Sequence, residues 1–550
     1  MRDWIKSGTP WIWLTAGSVS ISVIMVVGLI ALIAVRGLGH FWPADVTNYH
    51  YKDVNGAATL IVGELREREE VSVERIRDSG VELDTTATHI TRYLIKTGNR
   101  DVTGGDFYWI IEPNIEKESV SQNIVVFERL EWGNLYGHIK QLTIDAQVVA
   151  EGDSAWERLQ KEIENTLDTR DAIRDIEKSD IGAINYDLER LRLKQRRLEL
   201  NGQDTPDKLA ALEQQRKTLN GEYEALQKQL GVLYKQIDRA SVTVDVANGQ
   251  TVTVKLANIV RAYQPNRLPT LAKMGFYVAK VWEFLADEPR EANTEGGIFP
   301  AIFGTVMMVI LMSIIVTPFG VVAAIYLREY ATQGPITRTI RIAVNNLAGV
   351  PSIVYGVFGL GFFVYFLGGS LDQLFFPESL PAPTFGTPGL LWASLTLALL
   401  TVPVVIVSTE EGLSRIPSAI REGSLALGAT KAETLWRTII PMASPAIMTG
   451  MILAIARAAG EVAPLMLVGV VKLAPTLPLD GNFPFIHLER KFMHLGFHIY
   501  DVGFQSPNVE AARPLVYATA LLLIIVIVVL NLAAIAIRNR LREKYKALEH

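Results

Sequence analysis

The chain has 550 residues, 49% of them hydrophobic and 20% charged, a mixture that neither a soluble domain nor an all-membrane protein shows, so apolar spans and a hydrophilic region must share it. Its formal net charge of −5 leaves no strong basic patch for nucleic acid. The absence of cysteine excludes disulfide staples and thiolate-held metals.

Arg2 and Lys6 precede the first apolar stretch, 11–35, which Arg36 ends. A cleaved signal would have an apolar core of about 7 to 15 residues and a small-residue cleavage site. This stretch is longer and has no such site, so 1–36 reads as a cytoplasmic N-terminus with an uncleaved transmembrane anchor. Residues 37–296 are polar, without a span, and are expected on the outer side of the membrane as an α+β insert. Short β-rich runs at 59–62 and 123–127 between glycine-bearing turns predict a small sheet region over 55–150. Heptad spacing of Ile181, Ile184, Leu188, Leu191 and Leu198, and again from Leu212 to Ile237, predicts an antiparallel coiled-coil hairpin over 155–240, reversing at the breaker cluster 201–206. Alternation on both sides of Asn248-Gly249 predicts a β-hairpin over 241–256 with a two-residue turn. Leu271, Met274, Val278, Val281, Trp282 and Leu285 recur at helical spacing and predict an interfacial helix over 269–286.

Five more stretches, 297–327, 340–367, 389–408, 443–471 and 515–537, reach the roughly 20 apolar residues that a bilayer requires, giving six transmembrane helices in a polytopic α-helical membrane protein. Arg328, Arg338 and Arg341 mark one inner loop and Arg415, Arg421, Lys431 and Arg437 another; Arg538, Arg540, Arg542, Lys544 and Lys546 hold the tail, 541–550, inside. The loop 368–388 carries no Lys or Arg and belongs outside. Both termini are thereby cytoplasmic, as an even number of spans demands.

The inner loop 409–441 is the most informative stretch of the chain. Pro417 suits the first turn of a helix, and Gly428 a left-handed exit from it. Thr430 with Glu433 makes a capping box for a second helix, and Pro441 is expected to close the segment before the next apolar run. A plain amphipathic loop between spans would share this pattern, whereas a helix-turn-helix DNA reader fits poorly between two membrane spans. Glu422, Gly423, Ser424, Ala426, Leu427, Gly428, Ala429 and the terminal Pro441 resemble the EAA motif of ABC-transporter permeases, with Thr438 where that family often has an aliphatic residue. The resemblance implies a type I, MetI-like core of five helices over 297–540, and a coupling helix that docks on a separate ATPase.

Arg457 and Glu461 lie four apart in the fifth span, near its middle as read from the sequence. An ionised group at mid-bilayer costs about 2.5 to 3.5 kcal/mol on insertion scales, so the two should face the bundle interior or a polar cavity. They could lock helices together as an internal ion pair, or line an anion path in which Arg457 offers forked donors to an oxyanion and Glu461 holds or releases it. This segment, with 317–331 and 344–365, resembles the PstA family of phosphate-transport permeases, and the likeness covers 297 to about 540. The insert resembles the extension of that family's long forms. The resemblance implies an importer for inorganic phosphate in the bacterial inner membrane. It also implies a PstC-like companion permease, two copies of a PstB-like ATPase that use ATP and Mg, a periplasmic phosphate-binding protein, and surrounding membrane lipid.

The chain itself carries no Gly-x4-Gly-Lys-Ser/Thr phosphate loop, no nucleophile elbow and no HExxH pair, so it reads as a transport subunit without catalytic residues or bound cofactor. His487, His494 and His498 lie close together in the outer loop; metal binding is one reading, surface or interfacial histidines the plainer one, and no metal is expected. A permease for another oxyanion or a small organic phosphate is a near alternative. A membrane sensor or scaffold using the periplasmic coiled coil is a distant one.

Overall fold

The computed structural model describes residues 7–52, 57–78, 87–247, 249–506 and 509–545. Arg2, Lys6, Asn248 and Lys546 lie outside them. Two units emerge: one joins the N-terminal 40 residues to Ile298–His550, and the other is Phe41–Gly297.

The Phe41–Gly297 unit is built on two antiparallel sheets. The first contains β1 (Val46–Lys52), β2 (Ala58–Ser72), β3 (His89–Lys96), β4 (Phe107–Ile111) and β5 (Ile115–Val120) in the order β4-β3-β2-β1-β5. The second contains β6 (Val125–Arg129), β7 (Leu135–Ile144), β8 (Gln147–Glu151), β9 (Ala240–Asp245), β10 (Thr251–Lys255) and β11 (Ile259–Tyr263), ordered β10-β9-β7-β6-β11 with β8 on β7. Val46 and Val62 of the first sheet pack with Val126 and Tyr136 of the second, and the Tyr136 hydroxyl donates to Glu64 at 3.0 Å.

Strand pairing corrects the serial division of the sequence. β9 pairs with β7 and β11 with β6, so residues on either side of the helices complete one sheet. The β9–β10 connection also differs: Val246 and Gln250 close it by a backbone hydrogen bond, leaving three residues between them rather than two, with Gly249 at φ +75°. A three-residue loop of this kind places its last residue in the left-handed region, which glycine adopts without a Cβ clash.

The helical arms run Ala155–Asp175, a π turn and Ile181–Leu200 outward, and Pro206–Ile237 back. Leu159 and Ile163 anchor the base in the second sheet's core, and Ile173, Ile176, Leu230 and Ile237 pack where the arms meet. Beyond them Ile184 and Leu212 are buried, while the heptad residues Leu188, Leu191, Leu198, Leu219 and Tyr223 are half-buried. The arms therefore form a helical hairpin without a dry coiled-coil seam, because two helices alone leave one flank of each apolar stripe open.

In the other unit six helices are long and apolar enough to cross a membrane: Trp11–Gly39, Phe299–Tyr330, Ser352–Phe375, Leu390–Ser414, Lys431–Gly460 and Ala512–Arg540. Two differ substantially from the stretches read in the sequence. The third begins at Ser352 and not near 340, because Pro351 disfavours helix at the residue before it; Pro335–Leu347 is instead a separate amphipathic helix. The fifth begins at Lys431 and stops at Gly460, with Glu461 extended at φ −78°, ψ 133°, and a short helix Leu465–Val468 beyond. The fourth helix lies at the centre of the bundle: Leu397 and Val405 pack with Met308, Met312 and Val316 of the second, Ala454 and Ala458 of the fifth and Ala534 of the sixth. Backbones come close there, since a Cβ on Gly412 would lie 2.4 Å from the Ala446 Cβ.

Candidate functional site: an exposed helical turn and an interrupted span

The loop between the fourth and fifth spans folds as its local chemistry dictates. A helix covers Ser418–Ala426 with Pro417 as its N-cap residue, one position earlier than the sequence predicts. Its exit is a Schellman arrangement: the Ala429 amide donates to the Ser424 carbonyl at 3.3 Å and the Gly428 amide to the Leu425 carbonyl at 3.0 Å, with Gly428 at φ +90°. Thr430 and Glu433 form the expected capping box, the Glu433 amide donating to the Thr430 hydroxyl at 3.2 Å and the Thr430 amide to the Glu433 carboxylate at 2.9 Å. Pro441 does not end the segment, contrary to expectation. The helix continues from Lys431 through a π turn at Leu435–Ile439 into Ile440–Gly460. The Ile440 amide reaches back five residues to the Leu435 carbonyl. Pro441 then sits in the first turn after the π bulge, where its missing N–H is tolerated.

Glu422, Gly423, Ala426, Leu427 and Gly428 are exposed, Leu427 to 90%, and Ser424 and Ala429 are half-buried. Ser424 shares a 2.8 Å hydrogen bond with Thr434, tying the two short helices together. What fixes the element to the bundle is a residue that motif reading passes over. Arg421 donates to the carbonyls of Leu413 and Ile416 at 2.8 and 2.7 Å, capping the end of the fourth span, and pairs with Glu329 at 2.9 Å. Lys431 donates to the Glu329 carbonyl and stands 4.5 Å over the Tyr330 ring. Both cations thus clasp the end of the second span, and Arg341 of the Pro335–Leu347 helix pairs with Glu410 of the fourth at 3.3 Å. Inner-loop charge flagged Arg421 only as a topology signal; its partner is 92 residues away.

Arg457 and Glu461 are brought together, though not as two residues of one mid-span helix. Arg457 lies in the last turn and Glu461 follows the helix end, yet Nε remains 3.6 Å from the carboxylate. A helix C-terminus favours a cation by its dipole, which suits Arg457. Arg457 is also within electrostatic range of Tyr355, whose hydroxyl donates to the Leu347 carbonyl at 2.6 Å. Among the described residues no hydrogen bond engages the two terminal guanidinium nitrogens of Arg457.

The three histidines are buried and serve separate structural roles, which corrects the surface reading. His487 bridges Asp480 at 2.9 Å and Glu489 at 3.2 Å. His494 accepts from the Gly496 amide at 3.1 Å as an N-cap, and His498 meets the Thr519 hydroxyl at 3.5 Å. Burial pushes the Asp480 carboxyl up, but the Asn482 amide, Arg490 and His487 outweigh it and hold it at about 2. No cluster of three His, Cys, Asp or Glu able to hold a metal occurs among the described residues.

The six apolar helices define a polytopic helical membrane protein, and residues 316–546 match the family of binding-protein-dependent transport system inner membrane components. The chain is 34% identical over 276 residues to the phosphate transport system permease protein PstA of Mycobacterium leprae, covering 49% of this chain and 81% of that one. It is 36% identical over 247 residues to PstA 1 of Mycobacterium tuberculosis, covering 44% and 71%. The chain belongs to the PstA family of phosphate transport system permeases. A solved MetNI methionine ABC transporter is similar over 44% of this chain and 94% of its own at 19% identity and a TM-score of 0.33, too low to carry the assignment, which rests on the sequence relatives.

Proposed function

We propose that the chain is one of two permease subunits of an inner-membrane ABC importer for inorganic phosphate, itself without catalytic activity. Its companion is a PstC-like permease. A PstC protein of Mesorhizobium japonicum is itself 33% identical to this chain over 190 residues, as expected of two subunits that share one architecture. A periplasmic binding protein delivers phosphate, and two PstB-like subunits hydrolyse ATP with Mg. Both termini and the 409–441 loop face the cytoplasm, and 37–296 faces the periplasm.

The observation that carries this reading is the exposed, capped Ser418–Ala426 turn clasped to two spans by Arg421. ATPase closure against Glu422 to Gly428 moves that turn, and the clasp passes the motion to the second and fourth spans as rigid elements. At the interrupted fifth span, Arg457 offers its two unengaged nitrogens to a phosphate oxyanion while Glu461 competes for the guanidinium, which keeps the anion's stay brief.

The test is phosphate uptake by the reconstituted complex carrying Arg457→Gln, with ATPase assembly followed in parallel. Lost uptake with assembly intact is expected. Uptake at the unaltered rate would reduce the pair to a structural lock and reopen the choice of substrate.

A further inference from the structure

The helix Thr270–Ala286 of the Phe41–Gly297 unit is amphipathic the wrong way round for a water-facing domain. Its charged residues are turned inward: Lys280 pairs with Glu128 and with Glu283 at 3.0 Å, and Glu283 with Arg261 at 3.2 Å and Arg290 at 2.7 Å. Burial pushes the Glu283 carboxyl up, but these three cations outweigh it and hold it below the usual range. The opposite face points out and is apolar, with Leu271, Met274, Val278 and Trp282 exposed to 81, 54, 66 and 70%. Positions 271, 274, 278 and 282 fall on one stripe of a helix. Charges that could have solvated this face form ion pairs on the other, so the stripe is built to be covered.

The chain itself says by what. Phe41 and Trp42 follow the end of the first span at Gly39 by two and three residues, and they pack on this helix, Phe41 against Phe284 and Trp42 against Tyr277 at ring-centroid distances of 5.1 and 6.1 Å. Lys273 pairs with Asp45 in the same leading segment. At the other end, 12 residues separate Ala286 from Phe299, where the second span begins. By chain length alone, a helix bound to residues that directly follow one span, and lying 12 residues before the next, stays within reach of the bilayer surface.

We propose that the Leu271–Met274–Val278–Trp282 stripe lies in the lipid headgroup layer and seats the Phe41–Gly297 domain on the membrane surface. Trp282 supplies the amphipathic ring favoured at that depth, and the inward salt bridges keep the helix from rolling its apolar face back into the domain.

The chain has no cysteine, so single nitroxide labels can be placed without background. Full-length Val278→Cys and Trp282→Cys proteins would be labelled in nanodiscs of phosphatidylethanolamine and phosphatidylglycerol, alone and assembled with their partner subunits. Val232→Cys, on an exposed position of the hairpin, serves as the aqueous reference and as a check on folding. The labels at 278 and 282 are expected to broaden with oxygen and to lose broadening by a water-soluble nickel complex, the reverse of 232. Nickel broadening at 278 equal to that at 232 would overturn the proposal in favour of a solvated face. Shielding from both reagents that appears only on assembly would overturn it in favour of a protein partner.

Discussion

Replacing Arg421 by alanine should detach the exposed helical turn from the bundle while leaving the spans folded. The guanidinium donates two hydrogen bonds, of 2.7 and 2.8 Å, to carbonyls at the end of the fourth span and pairs with Glu329 at 2.9 Å. A hydrogen bond from a charged donor nets about 1.5 to 3 kcal/mol when its acceptor is sheltered. These acceptors regain some water once the arginine is gone, and the ion pair, between side chains 21% and 12% exposed, adds about 1 kcal/mol. The sum after that discount is about 3 kcal/mol, or roughly a hundredfold in a local opening equilibrium. Amide hydrogen exchange of the full-length protein in detergent reads this directly: amides over 418–430 should exchange about a hundredfold faster, while those of 390–405 stay unchanged. Arg421→Lys should restore little, because one ammonium cannot reach two carbonyls and a carboxylate in a fixed fork. Unaltered exchange over 418–430 in the alanine variant would refute the clasp.

Gly428→Val should destabilise the same turn by about 1 to 2 kcal/mol through backbone strain alone, because φ is +90° there and no atom lies within 4 Å of a built Cβ; limited proteolysis should find cleavage at 427–430 and nowhere new. Gly356→Val should push the third span away from the segment after Glu461, since a Cβ there would stand 2.7 Å from the Pro464 Cα, and the thermal midpoint should fall by the equivalent of about 1 to 3 kcal/mol. Burial holds the His494 imidazole down to about 4 from its ordinary 6.5, so the unfolded chain gains a proton that the folded chain refuses. The stability due to neutral His494 is present above pH 6.5 and is lost as pH falls through about 4, by up to about 3 kcal/mol. Thermal unfolding from pH 7 to 4.5 should show a shallower decline for His494→Asn, which keeps an N-cap acceptor without the titration; equal slopes would exclude this origin.

Features set by neighbours in the chain were legible before any coordinates. The Thr430–Glu433 capping box, the left-handed Gly428 and the apolar lengths of six spans all follow from residues within a turn or a bilayer thickness of one another. Span ends were less legible, because hydropathy averages over the backbone signals that decide them: Pro351 starts the third span late, and the fifth stops at Gly460 although apolar residues continue to Val471. That misplacement set Arg457 and Glu461 at mid-span instead of at a helix end. The pairings that organise the site and the domain join distant residues. Arg421 finds Glu329 across 92 positions, and β11 closes on β6 after the whole helical hairpin has intervened, with no periodicity to announce either. Charge misled once: the histidines between the fifth and sixth spans are buried, and each meets a different neighbour, His487 Asp480, His494 the Gly496 amide and His498 the Thr519 hydroxyl.

The first span packs against the last, where a Cβ on Gly37 would stand 2.8 Å from the Ala518 amide nitrogen, yet among the described residues none of it belongs to the bundle's interior cluster, and its most apolar stretch is exposed. Its removal would uncover the last span near Ala518 and leave the interior cluster of the other spans intact. The first span then serves chiefly as a second covalent tether, with the chain that enters the second span, for the 257-residue unit Phe41–Gly297.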